Sequence, residues 1–132
     1  MRNVLILATA FILVAADEPV TITRSPQASA KLEKYLGGRV PVETRKCVPM
    51  RVTISPIGID DYTILFRDGP HYWRNDVRSG TDVGRLDKNS QFVTESRADR
   101  VCNGSDFEIV NDGATVGGGS FGDFVRYEKP KD

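Results

Sequence analysis

The chain has 132 residues, and 18 Lys and Arg balance 18 Asp and Glu, with a single His. That length suits one domain with a modest core, burying roughly two-thirds of the surface its unfolded chain exposes. A balanced charge gives no electrostatic reason to expect nucleic acid or an anionic membrane as partner.

The first sixteen residues read as a leader. Arg2 supplies a short positive region, Val4 to Ala16 an apolar run, and Val14-Ala15-Ala16 a small-residue cleavage site before Asp17. Thirteen residues are too few to span a bilayer as a helix, so no stable membrane span is expected in the mature chain. No Cys stands at the cleavage site, which argues against a lipid-anchored start. Without Arg2 the remainder, 17–132, carries 17 basic and 18 acidic residues and reads as a single β-rich domain with its core at about 36–128.

In chain order, Asp17 to Arg24 is a tail or an edge strand. Ser25-Pro26 then opens a helix, Ser as N-cap and Pro at the first helical position. Ala28, Leu32, Tyr35 and Leu36 lie near one face, and Gly37-Gly38 stop it. Val40 to Lys46 reads as a linker into a first strand, Cys47 to Ser55, ended by Pro56. Val77 to Gln91 is polar and reads as a long exposed loop. Phe92 to Glu95, Val101-Cys102, Phe107 to Val110 and Asp123 to Glu128 read as short strands. Asn103-Gly104 and Asn111-Asp112-Gly113 mark turns.

Ile59 to Asp76 is the most apolar and aromatic stretch of the mature chain. Tyr62, Ile64 and Phe66 alternate with Thr63, Leu65 and Arg67, the period-2 pattern of a strand. Asp68-Gly69-Pro70 turns it back on a partner strand. Because Pro70 has no N–H, a four-residue loop from Arg67 to Pro70 is expected, with Phe66 facing His71 and Ile64 facing Trp73. One face then carries Tyr62, Ile64, Phe66, His71 and Trp73 and is the core side. The other carries Leu65 and Tyr72. Six or seven short strands predict a small, mainly β antiparallel sandwich or partly open barrel with one short N-terminal helix.

Cys47 and Cys102 are the only cysteines. In an exported protein they predict a disulfide closing a loop of about 55 residues. Two buried thiols are the rival reading. A catalytic or metal pair fits less well, with no CxxC and one His.

The order of short motifs Leu36-Gly37-Gly38-Arg39, Cys47 to Arg51 (CVPMR), Ile59 to Arg67 (IDDYTILFR), Tyr72-Trp73-Arg74-Asn75, Phe92 to Ser96 (FVTES) and Gly122 to Tyr127 (GDFVRY) resembles a group of small secreted bacterial proteins. The resemblance covers about residues 36–127. It implies a bacterial, exported protein with its cysteines paired, and no particular activity. The chain departs from the group at Gly117-Gly118-Gly119, where the group carries bulkier residues.

Several patterns bear on chemistry. Thr115 to Ser120, with its three glycines, could cradle an anion, but it lacks the following helix and the Lys of a phosphate loop and reads as a flexible loop or bulge. His71 has no second metal ligand beside it and no Ser in a nucleophile-elbow pattern. Asp60, Asp61, Asp106 and Asp123 read as turn-forming and solubilising residues rather than an acid–base pair. Asn103-Gly104-Ser105 matches a glycosylation acceptor, a pattern its turn role already explains. The run His71-Tyr72-Trp73-Arg74 is the strongest binding candidate, because Trp, Tyr and Arg dominate interface hot spots. Tyr72 and Arg74, with the Val77 to Gln91 segment, are the expected partner surface.

The sequence thus predicts a periplasmic or secreted binding or envelope-associated structural module. Its partner would be a protein or another envelope component. No cofactor, metal or catalytic residue is expected. The second reading is a small hydrolase or an inhibitor of one.

Overall fold

The computed structural model describes residues 23–87, 89–95 and 99–131. The expected leader, its cleavage site and 17–22 lie outside the described residues.

The helix forms where its signals stand. Ser25 caps α1 (Pro26–Leu36), its Oγ accepting from the Ala28 N–H at 3.1 Å. Gly37 closes it, donating its N–H to Glu33 O at 2.7 Å.

The described residues form eleven strands, more than the six or seven expected: β1 (Val40–Arg45), β2 (Cys47–Pro49), β3 (Pro56–Asp60), β4 (Thr63–Asp68), β5 (His71–Asp76), β6 (Ser79–Thr81), β7 (Gln91–Thr94), β8 (Arg100–Cys102), β9 (Asp106–Asn111), β10 (Ala114–Ser120) and β11 (Phe124–Glu128). They pair antiparallel into a five-stranded sheet β1-β11-β5-β4-β3, a four-stranded sheet β6-β10-β9-β7 and a small sheet β2-β8. The fold is mainly β, as expected, and its sheets do not close into a barrel.

The central hairpin is β4–β5. Phe66 pairs with Trp73 and Asp68 with His71, so only Gly69 and Pro70 stand outside the ladder. The expected four-residue loop is therefore wrong by two positions of register. Pro70 needs no N–H here, because Asp68 and His71 close the hairpin, and Gly69, at φ +58°, takes the left-handed turn position. A shift of two keeps the side chains of β4 and β5 on their predicted faces, but Tyr62, expected on the core side, precedes β4 in a turn and is exposed. Ile64, Phe66 and Trp73 do face the main core. They meet Phe107, Ile109, Phe121 and Phe124 there.

The opposite face is not solvated. Leu65 and Tyr72 lie beneath α1 with Ala28, Leu36 and Ile59. That explains why β4 reads as a nearly continuous apolar run: Ile64, Leu65 and Phe66 are all fully buried.

Four further expectations are corrected. Val40 to Lys46 is not a linker, since β1 pairs along β11 as an edge strand. The expected strand Cys47 to Ser55 breaks after Pro49 into a 3-10 turn, Met50–Ile54, and Pro56 opens a strand rather than ending one. The Val77 to Gln91 segment holds β6 and a second 3-10 turn, Val83–Arg85, and it buries Val83 and Leu86 in the main core. The glycine run is strand β10, not a loop, with a bulge between Thr115 and Gly117.

Cys47 and Cys102 form the disulfide, directly opposed across β2 and β8 with their Cα atoms 4.0 Å apart. The flanking pair exchanges a main-chain bond, Asn103 N–H to Lys46 O at 2.7 Å. The cysteines therefore occupy a non-hydrogen-bonded position, where opposed side chains approach most closely.

Candidate functional site

The expected aromatic patch is divided between two interiors. Tyr72 is only 9 % exposed, covered by α1, with its ring 5.8 Å from Tyr35 and under the Arg39 guanidinium at 4.7 Å. Trp73 is 3 % exposed and donates its indole N–H to Asp68 at 3.1 Å, with Arg45 and Arg126 over its ring. The placement follows from α1 docking on the sheet, which covers the face that carries Tyr72. His71 opposes the β11 terminus. Its Nδ1 lies 3.7 Å from the Glu128 carboxylate, beyond hydrogen-bond distance.

Arg74 is part of a polar chain. Arg24 bridges Asp60 and Thr63 at 2.7 Å each, Thr63 donates to Asp76 at 2.7 Å, and Arg74 donates to Asp76 at 3.0 Å. Burial alone would lower the Arg74 pKa. The Asp76 carboxylate, helped by Tyr127, more than offsets this and raises it. The two arginines of this polar chain line a groove of about 430 Å³ beside α1, with Leu32 and Tyr127. Both arginines already have carboxylate partners, Asp60 and Asp76, and α1 itself is tied to β3 by Lys31, which donates to Gly58 O at 2.6 Å.

The four carboxylates are not brought together as a pair. Asp60 accepts from the Tyr62 and Thr63 N–H groups, Asp61 from the Val83 N–H, and Asp123 from the Asn103 side chain. Asp106 lies exposed on β9. Asn103 and Gly104 sit in a tight turn closed by the Ser105 N–H on Cys102 O.

Another concavity lies away from these residues, beside β7. There β7 and the turn Met50–Ile54 flank a cleft of about 530 Å³. Met50, Ile54, Pro56 and Phe92 supply its apolar walls. Thr53, Ser55, Ser90 and Thr94 add hydroxyls, and Asp87 is the single charge among the described lining residues. Phe92 forms the floor, its ring 5.8 Å from Phe66 and 5.3 Å from Phe107. Because Phe92 continues the aromatic core, the floor is held rigidly. Asp87 is fixed by its own turn, accepting from the Asn89 N–H at 2.8 Å and from Ser90 Oγ at 3.3 Å. Thr53 donates to Met50 O at 2.8 Å and braces the facing wall.

No family model, curated protein or solved structure matches the chain.

What the cleft can do therefore rests on its chemistry. It presents a rigid aromatic floor, an aliphatic rim and a few fixed polar groups, the composition of a site that holds an apolar group in one orientation. His71 does not line it. Sequence reasoning missed Met50, Ile54 and Thr94. No local signal marked them: Ile54 stands between Val52 and Ile57 along the chain, and only the fold leaves it 75 % exposed on the rim.

Proposed function

We propose that the chain is an exported binding module whose partner inserts an apolar group into the cleft between β7 and the Met50–Ile54 turn. The observation that carries this is the juxtaposition of the core-anchored Phe92 floor with Ile54, a large aliphatic side chain left out in solvent at the cleft mouth. A floor packed on the core gives fixed shape and an exposed apolar rim gives desolvation energy on contact. Export is supported by the leader-like N-terminus, by the resemblance to secreted bacterial proteins, and by the Cys47–Cys102 disulfide. No described helix is long and apolar enough to cross a membrane. The periplasm or the exterior is the location this reading requires.

The test is capture from a cell-envelope fraction by the mature, oxidised protein, with Ile54→Glu and Tyr62→Glu variants in parallel. Both residues are exposed, so neither change should unfold the chain. Capture lost with Ile54→Glu and kept with Tyr62→Glu places the partner on the cleft. Equal capture by all three, or capture lost only with Tyr62→Glu, overturns the assignment. Sequencing the exported chain checks the rest, with Asp17 expected at its N-terminus.

A further inference from the structure

The four outer strands of the two large sheets are β1 and β3 in one and β6 and β7 in the other. Sheet edges invite unwanted pairing, and proteins blunt them with proline, bulges, charge, shortness or a cover. Three of these edges are blunted. β1 contains Pro41, a bulge between Pro41 and Glu43, and the charges of Glu43 and Arg45. β3 begins at Pro56, is bulged between Gly58 and Asp60, and carries the Val83–Arg85 turn against Gly58. β6 is three residues long. β7, Gln91-Phe92-Val93-Thr94, has no proline, no charge and no bulge.

The register fixes what this edge presents. Gln91 opposes Val110, Val93 opposes Glu108, and the next pair in that register is Glu95 with Asp106. Glu95 donates its N–H to Asp106 O at 3.0 Å, so Gln91, Val93 and Glu95 direct their main-chain groups at β9. The N–H and C=O of Phe92 and Thr94 therefore point away from the sheet. Their side chains turn inward to the cleft, and Val93, 49 % exposed, turns to the outer face.

This pattern is complementary to itself. We infer that β7 pairs antiparallel with β7 of a second copy about a two-fold axis through Val93, joining the two four-stranded sheets into one. Phe92 then opposes Thr94 of the second copy, and each exchanges both main-chain hydrogen bonds. Val93 meets Val93 at the closely approached, non-hydrogen-bonded position, which covers its exposed side chain. Gln91 meets Glu95, so no like charges face each other, and a mature chain with 17 basic and 18 acidic residues adds little long-range repulsion. The inward Phe92 and Thr94 side chains of the two copies become neighbours, which sets the two clefts side by side. Two four-residue strands make a small interface beside the roughly 1,200–2,000 Å² of a standard one, so the expected dimer depends on concentration. The proposal goes beyond the cleft reading and stands without it.

Sedimentation of the mature, oxidised protein from micromolar to submillimolar concentration tests it. The parent is expected to shift from monomer to dimer. Val93→Lys places like charges face to face. Thr94→Pro deletes an outward N–H while leaving the β9 ladder its donors. Each is expected to weaken association about tenfold or more with the melting transition kept. A parent that stays monomeric throughout overturns the proposal, as does a dimer that both folded variants retain. Should either variant fail to fold, the Val93→Cys variant decides. An interchain disulfide that forms on mild oxidation, and does not form with Tyr62→Cys, supports the pairing; crosslinking absent from Val93→Cys, or equal in both, overturns it.

Discussion

Asn75 shows how one side chain can stand in for a strand. It is fully buried in the main core. Its Nδ2 donates to Gly122 O and its Oδ1 accepts from the Gly122 N–H, both at 2.9 Å. The amide thus satisfies both polar groups of a backbone residue that no strand reaches. Removing it strands both in the interior, and a buried unpaired group costs about 1–3 kcal/mol. Asn75→Ala should therefore lower unfolding free energy by about 2–4 kcal/mol, read as a shifted urea midpoint with the slope unchanged. Asn75→Asp keeps the acceptor but replaces the donor by a buried charge facing a carbonyl, and should cost at least as much. A loss under about 1 kcal/mol in Asn75→Ala would mean that water replaces the amide.

At the scale of elements, the contrast is between what alternation reveals and what only packing decides. The faces of β4 and β5 were legible because Tyr62, Ile64 and Phe66 alternate with Thr63, Leu65 and Arg67 ahead of a turn, and the parity survived a misjudged loop. The Ser25 cap, α1 and the Cys47–Cys102 pairing were legible from local signals and from cysteine count. β1 was missed because Val-Pro-Val-Glu-Thr-Arg reads as irregular until β11 supplies its only ladder. The Met50–Ile54 turn was read as strand because Val52, Thr53 and Ile54 are β-branched, and tertiary context overrode that propensity. Val83 and Leu86 have no periodicity around them, yet each is buried as a single anchor. The cleft was illegible for the same reason: its walls come from segments about forty residues apart, joined only by the folded sandwich. Gly58 tests this docking. A Cβ there would fall against the Val83 carbonyl and the Leu86 side chain. Gly58→Ala should cost about 1–3 kcal/mol and speed hydrogen exchange at the Arg85 and Leu86 amides, which close that turn. By contrast, Ser25→Ala should cost about 1 kcal/mol, felt in α1 alone. Unchanged exchange at Arg85 and Leu86 in Gly58→Ala would show that the turn holds without close contact to β3.

At the scale of the whole molecule, the disulfide ties the compartment to the fold. It links a small sheet that belongs to neither large one, yet Val48 and Val101 of that sheet are buried in the shared core. The bridge spans 55 residues, which include β3 to β7 and the central hairpin. On the loop-entropy model such a closure stabilises by about 4 kcal/mol. A domain of this size has a total stability of only about 5–15 kcal/mol, so the bridge is a large share of it. The cysteines also oppose each other in a register that the Asn103–Lys46 bond holds from one side. Loss of the bridge should therefore leave the fold intact but marginal. Guanidinium titration of the oxidised parent, the parent under reductant, and the Cys47→Ala/Cys102→Ala variant measures this directly. The two bridge-free forms should agree with each other and lie about 4 kcal/mol below the parent, with the same native spectrum in the absence of denaturant. A difference below about 1 kcal/mol would mean that the unfolded chain is already constrained in this region, and the fold would then owe nothing to an oxidising compartment.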